Sequence, residues 1–549
     1  MIARDRALDA LRSERFDLVV VGGGITGAGV ALDAASRGYS VALVEKADFA
    51  SGTSSRSSKL VHGGLRYLQN FDLGLVREAL LERQLMVKLA PHLVKPLPMV
   101  VSTFDGARPD RLMGIGLNMY DVMATPVRGR RSSRRDDSYW SPARHRIISG
   151  EHVVELLPAL AERHPTGGYL FYDCQTDDVR LVLSVLGEAE RFGTIVANRL
   201  QVVELLSEDG QESGVRVTDT VTGEELTIRA ANVINATGVW ADRIRPEELH
   251  SEADLPKIAP SRGTHLIVAN GKLPLDAGAI VPAGEGRSIF ALPWLGQSLL
   301  GTTDNNYSGD IDHVRPSGED VRYLLEAANA FFGTALGPED LAGAYAGVRP
   351  LISSGDTRKS VDISRKAELY ETSSGLITIT GGKLTTWRRM AKLAVDRLVE
   401  REGRDAPCRT SEIPLGQPVE AEALHAPAGI PAESVAALAS RYGHAAEQVL
   451  AVAAERPELA EPIVPGLPDL LAEAAFSARH EQAATVGDVL LRRTRVGLLA
   501  GREVSEPGSR APLRVAQVLA RELGWDERRT ENEVKSFQQE AIAEGIGLH

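Results

Sequence analysis

The hydrophobic pattern of the chain changes near residue 405, and the change predicts two kinds of structure. Before it, short apolar runs rich in Val and Ile lie between glycine-rich turns and amphipathic stretches, the pattern of an α/β protein. After Pro407 and Pro414 the chain is rich in Ala, Glu and Leu with helical periodicity. We expect amphipathic helices there at residues 432–442, 445–455, 486–491, 513–523 and 530–543.

The first strand and turn of the chain indicate a nucleotide-binding unit. An apolar run at residues 16–21 predicts a buried parallel strand. Residues 22–27 follow with glycines in the GxGxxG spacing, and residues 28–37 predict a helix that Gly38 closes. A second strand is predicted at residues 40–44. This order of strand, turn, helix and strand is typical of a dinucleotide-binding βαβ unit.

Each residue type in this unit has a physical role. The first glycine permits a tight turn, the second lets the backbone approach a pyrophosphate, and the third allows helix and strand to pack closely. The helix N-terminus directs N–H groups at the phosphates, and the Glu after the second strand accepts hydrogen bonds from ribose hydroxyls. The unit alone does not separate NAD from FAD. The predicted contacts are Gly22, Gly24, Ile25, Thr26, Gly27, Glu45 and Lys46.

Two later motifs favour FAD. Residues 233–240 are a strand running into a small-residue turn, which resembles the Ala-Thr-Gly signature of two-dinucleotide-type FAD proteins. Residues 377–387 are a strand and a Gly-Gly pair before a helix predicted at residues 386–400. In FAD folds the N-terminus of such a helix stabilises negative charge on the reduced flavin. FAD is therefore the predicted cofactor, with further contacts from Ala236, Thr237, Gly238, Gly382, Lys383, Leu384 and Thr385.

Composition and charge limit the kinds of ligand and partner that the protein is expected to bind. The chain carries 62 Lys+Arg and 74 Asp+Glu, a formal net charge of −12, which argues against nucleic acid because phosphate binding needs a basic field. The two cysteines, Cys174 and Cys408, have no Cys/His cluster around them, so we expect no disulfide framework and no metal. No apolar run approaches the roughly 18–20 residues of a membrane span, so we expect a cytoplasmic protein.

The hydroxyl-rich residues 51–60 are followed by the string His-Gly-Gly-Leu-Arg-Tyr at residues 62–67. Together with several later motifs, this string resembles the FAD-dependent glycerol-3-phosphate dehydrogenases of the amino-acid-oxidase-like flavoprotein superfamily. The matched motifs keep their order over nearly the whole chain, and the later ones lie at residues 172–181, 301–304, 347–351, 381–386 and 486–496.

The resemblance implies oxidation of sn-glycerol 3-phosphate to dihydroxyacetone phosphate by hydride transfer to FAD, with electrons passed to a quinone. Such a substrate requires fixed cations for its phosphate dianion. By resemblance, Arg66 and Lys383 anchor the substrate, and Arg349 acts at the reacting end, where it stabilises a developing alkoxide. The remaining implied substrate contacts are Arg365, toward the phosphate, and Tyr67, Thr303 and Asp304.

The resemblance also implies that the hydroxyl-rich loop lines the flavin and the pyrophosphate, largely through backbone N–H groups. A hydroxyl contact from Thr53 is expected beside them. The implied contacts are Ser57, Ser58, Lys59 and Leu60, with Gly63 and Gly64 from the following string.

The base that accepts the substrate's hydroxyl proton is left open. Imidazole titrates near neutrality, and two of the 12 histidines are well placed. His265 enters a strand predicted at residues 266–268, and His62 stands in the His-Gly-Gly string. Water or an arginine-assisted transfer is the third alternative.

The predicted fold class is α/β, with a two-dinucleotide-type FAD-binding domain around a parallel sheet, an antiparallel-sheet substrate domain and a helical C-terminal domain. Strands of the substrate domain are predicted at residues 265–268, 288–292 and 297–301, and a meander at 202–206, 215–219 and 225–230. The predicted limits are 16–98, 178–260 and 347–404 for the FAD-binding domain, 99–177 and 261–346 for the substrate domain, and 406–549 for the C-terminal domain.

One segment predicts a membrane contact. Residues 108–146 carry nine arginines against four aspartates around the apolar residues 112–123. Arginines beside an apolar stretch can dock on an anionic leaflet at about 1 kcal/mol per charge, which suits delivery of electrons to a membrane quinone. The alternative is a core helix followed by a solvated basic loop. A homodimer is a further partner hypothesis.

Three rival functions follow from the same residues. A glycerol-3-phosphate oxidase would return the electrons to O₂, and the substrate-side residues do not discriminate between acceptors. An amino-acid oxidase would need a carboxylate clamp with an uncharged slot, whereas the cations at Arg66, Arg349 and Lys383 favour phosphate. A non-catalytic flavin scaffold would have lost its substrate motifs, which here are intact.

Overall fold

The computed structural model describes residues 3–64, 72–124, 143–244, 257–284, 286–353 and 367–547. The helices are α1 Arg4–Ser13, α2 Ile25–Ser36, α3 Leu73–Leu89, α4 Arg111–Ala124, α5 Gly150–Leu156, α6 Asp178–Arg191, α7 Gly318–Phe332, α8 Trp387–Glu402, α9 Ala432–Tyr442, α10 Ala446–Glu455, α11 Leu471–His480, α12 Val496–Leu499, α13 Gly501–Ser505, α14 Arg510–Leu523 and α15 Glu527–Glu544.

The strands divide between two sheets. They are β1 Arg15–Val21, β2 Val41–Val44, β3 Leu60–Val61, β4 Lys95–Thr103, β5 Arg146–Ser149, β6 Gly167–Gln175, β7 Ile195–Ala197, β8 Leu200–Glu208, β9 Gln211–Asp219, β10 Glu225–Asn235, β11 Lys257–Ala269, β12 Gly278–Pro282, β13 Ser288–Trp294, β14 Gln297–Gly301, β15 Asn305–Asn306, β16 Leu341–Ser353, β17 Ala367–Glu371 and β18 Ile377–Gly381.

The first sheet has a parallel centre in the order β18-β10-β1-β2-β7, and β17 pairs antiparallel with β18 at one edge. The β-branched residues of its strands are buried on both faces, as expected for parallel strands. Helices α2, α6 and α8 cover one face, and the predicted meander, observed as β8, β9 and the start of β10, covers the other with α1.

The second sheet is antiparallel except where β12 pairs with β4. Its long central pair is β11 with β16, and helix α7 packs on one face. The strand predicted at residues 265–268 is therefore the end of a longer strand that starts at Lys257. The predicted limits at 98, 260 and 347 fall within β4, β11 and β16, strands of this sheet, and the division into domains by residue number stays a prediction.

The C-terminal helices α9–α15 enclose an apolar core that is continuous with apolar residues of the second sheet, among them Phe171, Ile267 and Trp294. The predicted helices of this region are confirmed, with one local difference. Residues Asp488–Arg493 form a π-helical turn, whose charged side chains are buried against the rest of the protein. In the described part of the chain, no helix has both the length and the apolarity to cross a membrane. The predicted α/β fold class, with its two sheets and helical C-terminal region, is confirmed.

Candidate cofactor and substrate site

A cavity of about 320 Å³ opens where β1, β10 and β18 end. Ligands of open α/β sheets bind in such a crevice at the carboxyl ends of the strands. The structure therefore brings together the three nucleotide-type elements of the sequence. The predicted cofactor contacts that line the cavity are Gly22, Gly24, Ile25, Thr26, Glu45, Lys46, Thr53, Ser57, Ala236, Thr237, Gly238, Gly382, Lys383 and Leu384.

The other predicted cofactor contacts lie behind this lining. Gly27 is one of them, and a Cβ atom there would stand 1.9 Å from the carbonyl oxygen of Gly22. It supports the turn rather than facing the cavity. The remaining ones are Ser58, Lys59, Leu60, Gly63, Gly64 and Thr385, and their contact with a cofactor stays a prediction.

The backbone of a neighbouring strand end packs tightly against the glycine turn. Gly22 has a φ of +113°, and a Cβ atom there would lie 2.7 Å from the carbonyl oxygen of Ala236. Helix α2 begins at Ile25, whose N–H donates to Ser54 Oγ over 3.0 Å. The turn therefore offers a ligand its backbone and the N-terminus of α2, where anionic groups are stabilised.

Glu45 holds a carboxylate at the cavity wall. Its Oε2 accepts from the N–H of Gly23 at 2.7 Å, and its Oε1 from the N–H of Ala47 at 2.9 Å. Burial raises the pKa of Glu45, while these two hydrogen bonds oppose the shift. The orientation of the carboxylate is thus fixed before any ligand arrives, which fits a ribose diol.

A cluster of charges closes one side of the cavity. Lys46 pairs with Asp312 and lies over the Trp240 ring, 4.3 Å from its centroid. Asp312 also accepts from Trp240 Nε1 at 2.9 Å and pairs with Arg243 at 3.3 Å. Partial burial raises the pKa of Asp312, but Lys46 and Arg243 outweigh it and hold the pKa below its ordinary value. The predicted contact Lys46 is therefore already engaged by the loop that precedes α7.

Arg349 stands opposite Ser261 on the paired strands β16 and β11. Its Nη2 donates to Thr302 Oγ1 at 3.1 Å and to the Thr303 carbonyl at 3.0 Å. Its Nη1 lies 3.3 Å from Asp304 Oδ1. The structure thus brings the predicted residues Arg349, Thr303 and Asp304 together, directly before Pro350 at the cavity wall.

His265 is buried, with 2% of its surface exposed. It lies opposite Tyr345 in the β11–β16 pair, and the two rings stack at 4.8 Å. Its Nε2 lies 2.8 Å from Ser58 Oγ. Burial, together with the charges of Lys59 and Arg349, lowers the pKa of His265 well below its ordinary value. This environment disfavours the protonated form of the ring.

His62 links two motifs that are far apart in the sequence. Its backbone N–H donates to Thr385 Oγ1 at 3.1 Å, and that hydroxyl lies 3.2 Å from the His62 carbonyl oxygen. Its ring meets Phe290 edge-on at 6.2 Å. The His-Gly-Gly string and the start of α8 are thus joined beside the cavity, near Lys383.

Three predicted substrate contacts, Arg66, Tyr67 and Arg365, lie outside the described residues. Sequence reasoning also missed residues that the structure places at the site. Ser54 caps α2 and lines the cavity, and its signal was its place among the other hydroxyls of its loop. Tyr345 has no local signal, because its role depends on a strand 80 residues earlier.

The glycine turn, the fixed carboxylate and the strand-end cavity define a dinucleotide-binding protein. A family model described as FAD dependent oxidoreductase matches residues 17–397. A second model, described as the C-terminal domain of alpha-glycerophosphate oxidase, matches residues 379–530.

Similar proteins indicate the family within this class. Glycerol-3-phosphate dehydrogenase 2 of Mycobacterium tuberculosis is 37% identical, over 97% of this chain and 89% of its own. The aerobic glycerol-3-phosphate dehydrogenase of Bacillus subtilis is 36% identical, over 90% of this chain and 89% of its own. The crystal structure of the Bacillus halodurans glycerol-3-phosphate dehydrogenase complexed with FAD is 30% identical, with a TM-score of 0.78 over 100% of this chain and 98% of that one.

The chain belongs to the family of FAD-dependent glycerol-3-phosphate dehydrogenases. It is an FAD-dependent enzyme, and the predicted cofactor is confirmed. The geometry of the cavity fits this cofactor. Backbone atoms pack so closely against the glycine turn that only glycine fits there, and two backbone N–H groups orient the carboxylate of Glu45.

Proposed function

We propose that this protein oxidises sn-glycerol 3-phosphate to dihydroxyacetone phosphate and passes the electrons to a quinone. The observation that carries the proposal is the placement of Arg349. Its guanidinium is oriented by Thr302, Thr303 and Asp304 at the edge of the cavity that fits FAD. A fixed arginine there suits the anionic and developing-alkoxide groups of a phosphorylated triol.

Different residues on the cofactor side bind different parts of FAD. The glycine turn and the N-terminus of α2 hold the pyrophosphate, and Glu45 holds the ribose. Lys383 lines the same cavity four residues before α8 begins and supplies a cation toward the substrate. FAD, when bound, supplies the hydride acceptor that no side chain of the protein can provide.

We assign proton acceptance to His265. Its Nε2 is 2.8 Å from Ser58 Oγ, and stacking on Tyr345 fixes the plane of the ring. Ser58 adjoins Ser57, which lines the cavity, so a proton that reaches the Ser58 hydroxyl can pass to Nε2. His62 is the alternative base, and its backbone rather than its ring makes the contacts with Thr385.

A quinone acceptor implies a route to the membrane, and helix α4 offers one. Its outward face exposes Leu112 by 77%, Ile115 by 58% and Val122 by 69%, while Leu117 and Tyr120 pack inward. Ile147 on the neighbouring β5 is 64% exposed. Exposed arginines lie around this apolar stripe at Arg108, Arg111, Arg144 and Arg146. We infer that the stripe docks on an anionic leaflet.

The reaction is tested with the purified FAD-loaded protein under anaerobic conditions. We expect sn-glycerol 3-phosphate to bleach the oxidised-flavin spectrum, while glycerol and glycine leave it unchanged. Reoxidation is then followed with a soluble quinone and with O₂ in separate mixes. Faster reoxidation by quinone supports the dehydrogenase, and faster reoxidation by O₂ identifies an oxidase instead. An unbleached flavin with glycerol 3-phosphate would reject the substrate.

Membrane docking is tested by flotation with vesicles of anionic or zwitterionic phospholipid. We expect the protein to float with anionic vesicles only, and the triple change of Leu112, Ile115 and Val122 to Gln to abolish flotation. Changing Leu393 and Ile542 to Gln is the matched control, because both are exposed on other helices. No flotation of the unchanged protein, or flotation that survives the triple change, would contradict the docking surface.

A further inference from the structure

Two matched motifs of the sequence have no role in the reaction described above, yet they meet inside the protein. One contains Asp177 and Asp178 at the start of α6, and the other contains Arg495 directly after the π-helical turn. Arg495 comes from the C-terminal helical region and penetrates to the cofactor-binding region. Its side chain is 1% exposed and that of Asp178 is fully buried.

Asp178 holds the hydroxyl-rich loop. Its Oδ2 accepts from the Ser57 N–H at 3.1 Å, from Ser57 Oγ at 2.7 Å and from Lys59 Nζ at 2.7 Å. Lys59 Nζ also donates to the Ser55 carbonyl at 2.6 Å, which closes the loop on itself. Burial lowers the pKa of Lys59 to about 8, and Asp178 opposes that shift. One carboxylate thus fixes both the backbone and the side chains of this loop.

Arg495 fixes Asp178 in turn. Its Nη2 pairs with Asp178 Oδ1, its Nε lies 3.3 Å from Asp177, and its Nη1 donates to the Leu491 carbonyl at 2.9 Å. Two buried cations, Lys59 and Arg495, therefore face the fully buried Asp178 and the partly buried Asp177. Removing one member would leave an uncompensated buried charge, which is costly, so the loop and the C-terminal region hold each other in place.

The same loop connects to the substrate side. Tyr345 donates its hydroxyl to the Ser57 carbonyl at 2.7 Å, while its ring stacks on His265. Ser58 lies between these contacts, with its Oγ 2.8 Å from His265 Nε2. The loop therefore presents Ser57 to the cavity and Ser58 to His265 from one rigid segment.

We propose that Arg495, Asp178 and Tyr345 are positioning residues for the flavin and for His265, acting through the loop at Ser57–Lys59. The C-terminal region is then part of the active-site framework. The placement of Ser57 at the flavin rests on the established cofactor. The placement of Ser58 against His265 rests on the proposed function.

The test compares Asp178→Asn, Arg495→Lys and Tyr345→Phe in the full FAD-loaded chain. Tyr345→Phe is the informative variant, since it keeps the ring and removes one hydroxyl, so folding is retained. Arg479→Met is the control, because Arg479 pairs with Glu455 and Glu522 within the C-terminal region alone. The measurements are the thermal unfolding midpoint, the FAD dissociation constant, the flavin absorption band and midpoint potential, and the rate of flavin reduction.

For Tyr345→Phe we expect an altered flavin band or potential and flavin reduction slowed about 10-fold, at an unfolding midpoint like that of the control. For Asp178→Asn and Arg495→Lys we expect weaker FAD binding as well. Wild-type spectrum, potential and FAD affinity in all three variants would overturn the proposal. The spectrum and potential need no substrate, so failure here is distinct from a wrong substrate.

Discussion

The nucleotide end of the cavity and its proposed substrate side are built in different ways. The nucleotide end comes from short contiguous segments at the ends of neighbouring parallel strands, and backbone shapes it at Gly22 and Gly27. The substrate side is assembled from side chains of β11, β16 and the residues after β14, with Arg349 oriented by Thr302 and Asp304.

Because of this difference, cofactor binding and substrate turnover should respond to different amino-acid substitutions. At the nucleotide end, a single added methyl group meets backbone that cannot move away. On the proposed substrate side, loss of one charge should leave the fold intact but remove a group that we propose acts on the reacting atoms. Substitutions at each end of the cavity test this separation.

Gly27→Ala should abolish retention of FAD. Its Cβ would stand 1.9 Å from the Gly22 carbonyl oxygen, so the turn and α2 must separate. Overpacking of this kind costs about 1–3 kcal/mol or more, and here it distorts the pyrophosphate site itself, so FAD should bind at least about 100-fold more weakly. Flavin content after purification and FAD titration measure the effect.

The matched control is Gly187→Ala. Gly187 lies within α6, where an added Cβ has nothing within 4 Å. Alanine there should leave FAD binding unchanged, because it is the better helix former. Full FAD affinity in Gly27→Ala would show that the turn does not shape the site.

Arg349→Met should lower kcat/KM for sn-glycerol 3-phosphate about 100- to 1000-fold, the effect of losing one fixed electrostatic group. FAD affinity should stay within a few-fold of wild type, since the side chain bonds to Thr302, Thr303 and Asp304 rather than to the glycine turn. Arg262→Met is the control: Arg262 lies on β11 of the same sheet but pairs with Asp320. Equal losses in both variants would mean that sheet stability, not Arg349, sets the rate.

Glu45→Gln should weaken FAD binding about 10-fold and leave the rate of flavin reduction nearly unchanged at saturating FAD. The amide keeps one acceptor for the N–H groups of Gly23 and Ala47 but loses the charge that strengthens a ribose hydrogen bond. FAD titration monitored by flavin fluorescence measures the FAD dissociation constant of both proteins. A slower reduction step at full FAD occupancy would contradict the separation of the two ends.

The pH dependence of stability tests the burial of His265. Its pKa is lowered in the folded protein, so below about pH 6.5 the unfolded chain binds a proton that the folded chain does not. Stability is therefore lost as pH falls through this range. Denaturant unfolding at about pH 6.5 and about pH 5 should show a smaller loss in His265→Gln. The same difference in the exposed His425→Gln would refute the assignment to His265.

The nucleotide end could be predicted well from the sequence because its information is local. The GxGxxG spacing, the Glu that follows the second strand and the Ala-Thr-Gly turn each reside in one short segment, and all three reach the same cavity. Many strands of the two sheets and most of the long C-terminal helices were predicted for the same reason, whereas α11, α12 and α13 were not predicted. The spacing of apolar residues and the residue types that form turns can each be recognised within about ten residues.

The substrate side could be predicted only in part, because its geometry depends on pairing between distant segments. Arg349 was identified by resemblance, and His265 as one of two well-placed histidines. Nothing local reveals that Tyr345 stacks on His265 or that Ser54 accepts from the first N–H of α2. The pairing of Asp178 with Arg495 spans 317 residues and could not be read from charge patterns. Lys46 was expected at the cofactor, and its pairing with Asp312 was not foreseen.

The most direct measurement is anaerobic mixing of FAD-loaded wild-type protein and FAD-loaded Arg349→Met with a series of sn-glycerol 3-phosphate concentrations. Flavin bleaching is followed in time, and FAD affinity is measured on the same preparations. We predict rapid, saturable bleaching in the wild type and at least about 100-fold slower bleaching in the variant at comparable FAD affinity. Equal rates in the two proteins, or no bleaching in the wild type, would contradict the assignment of the substrate side.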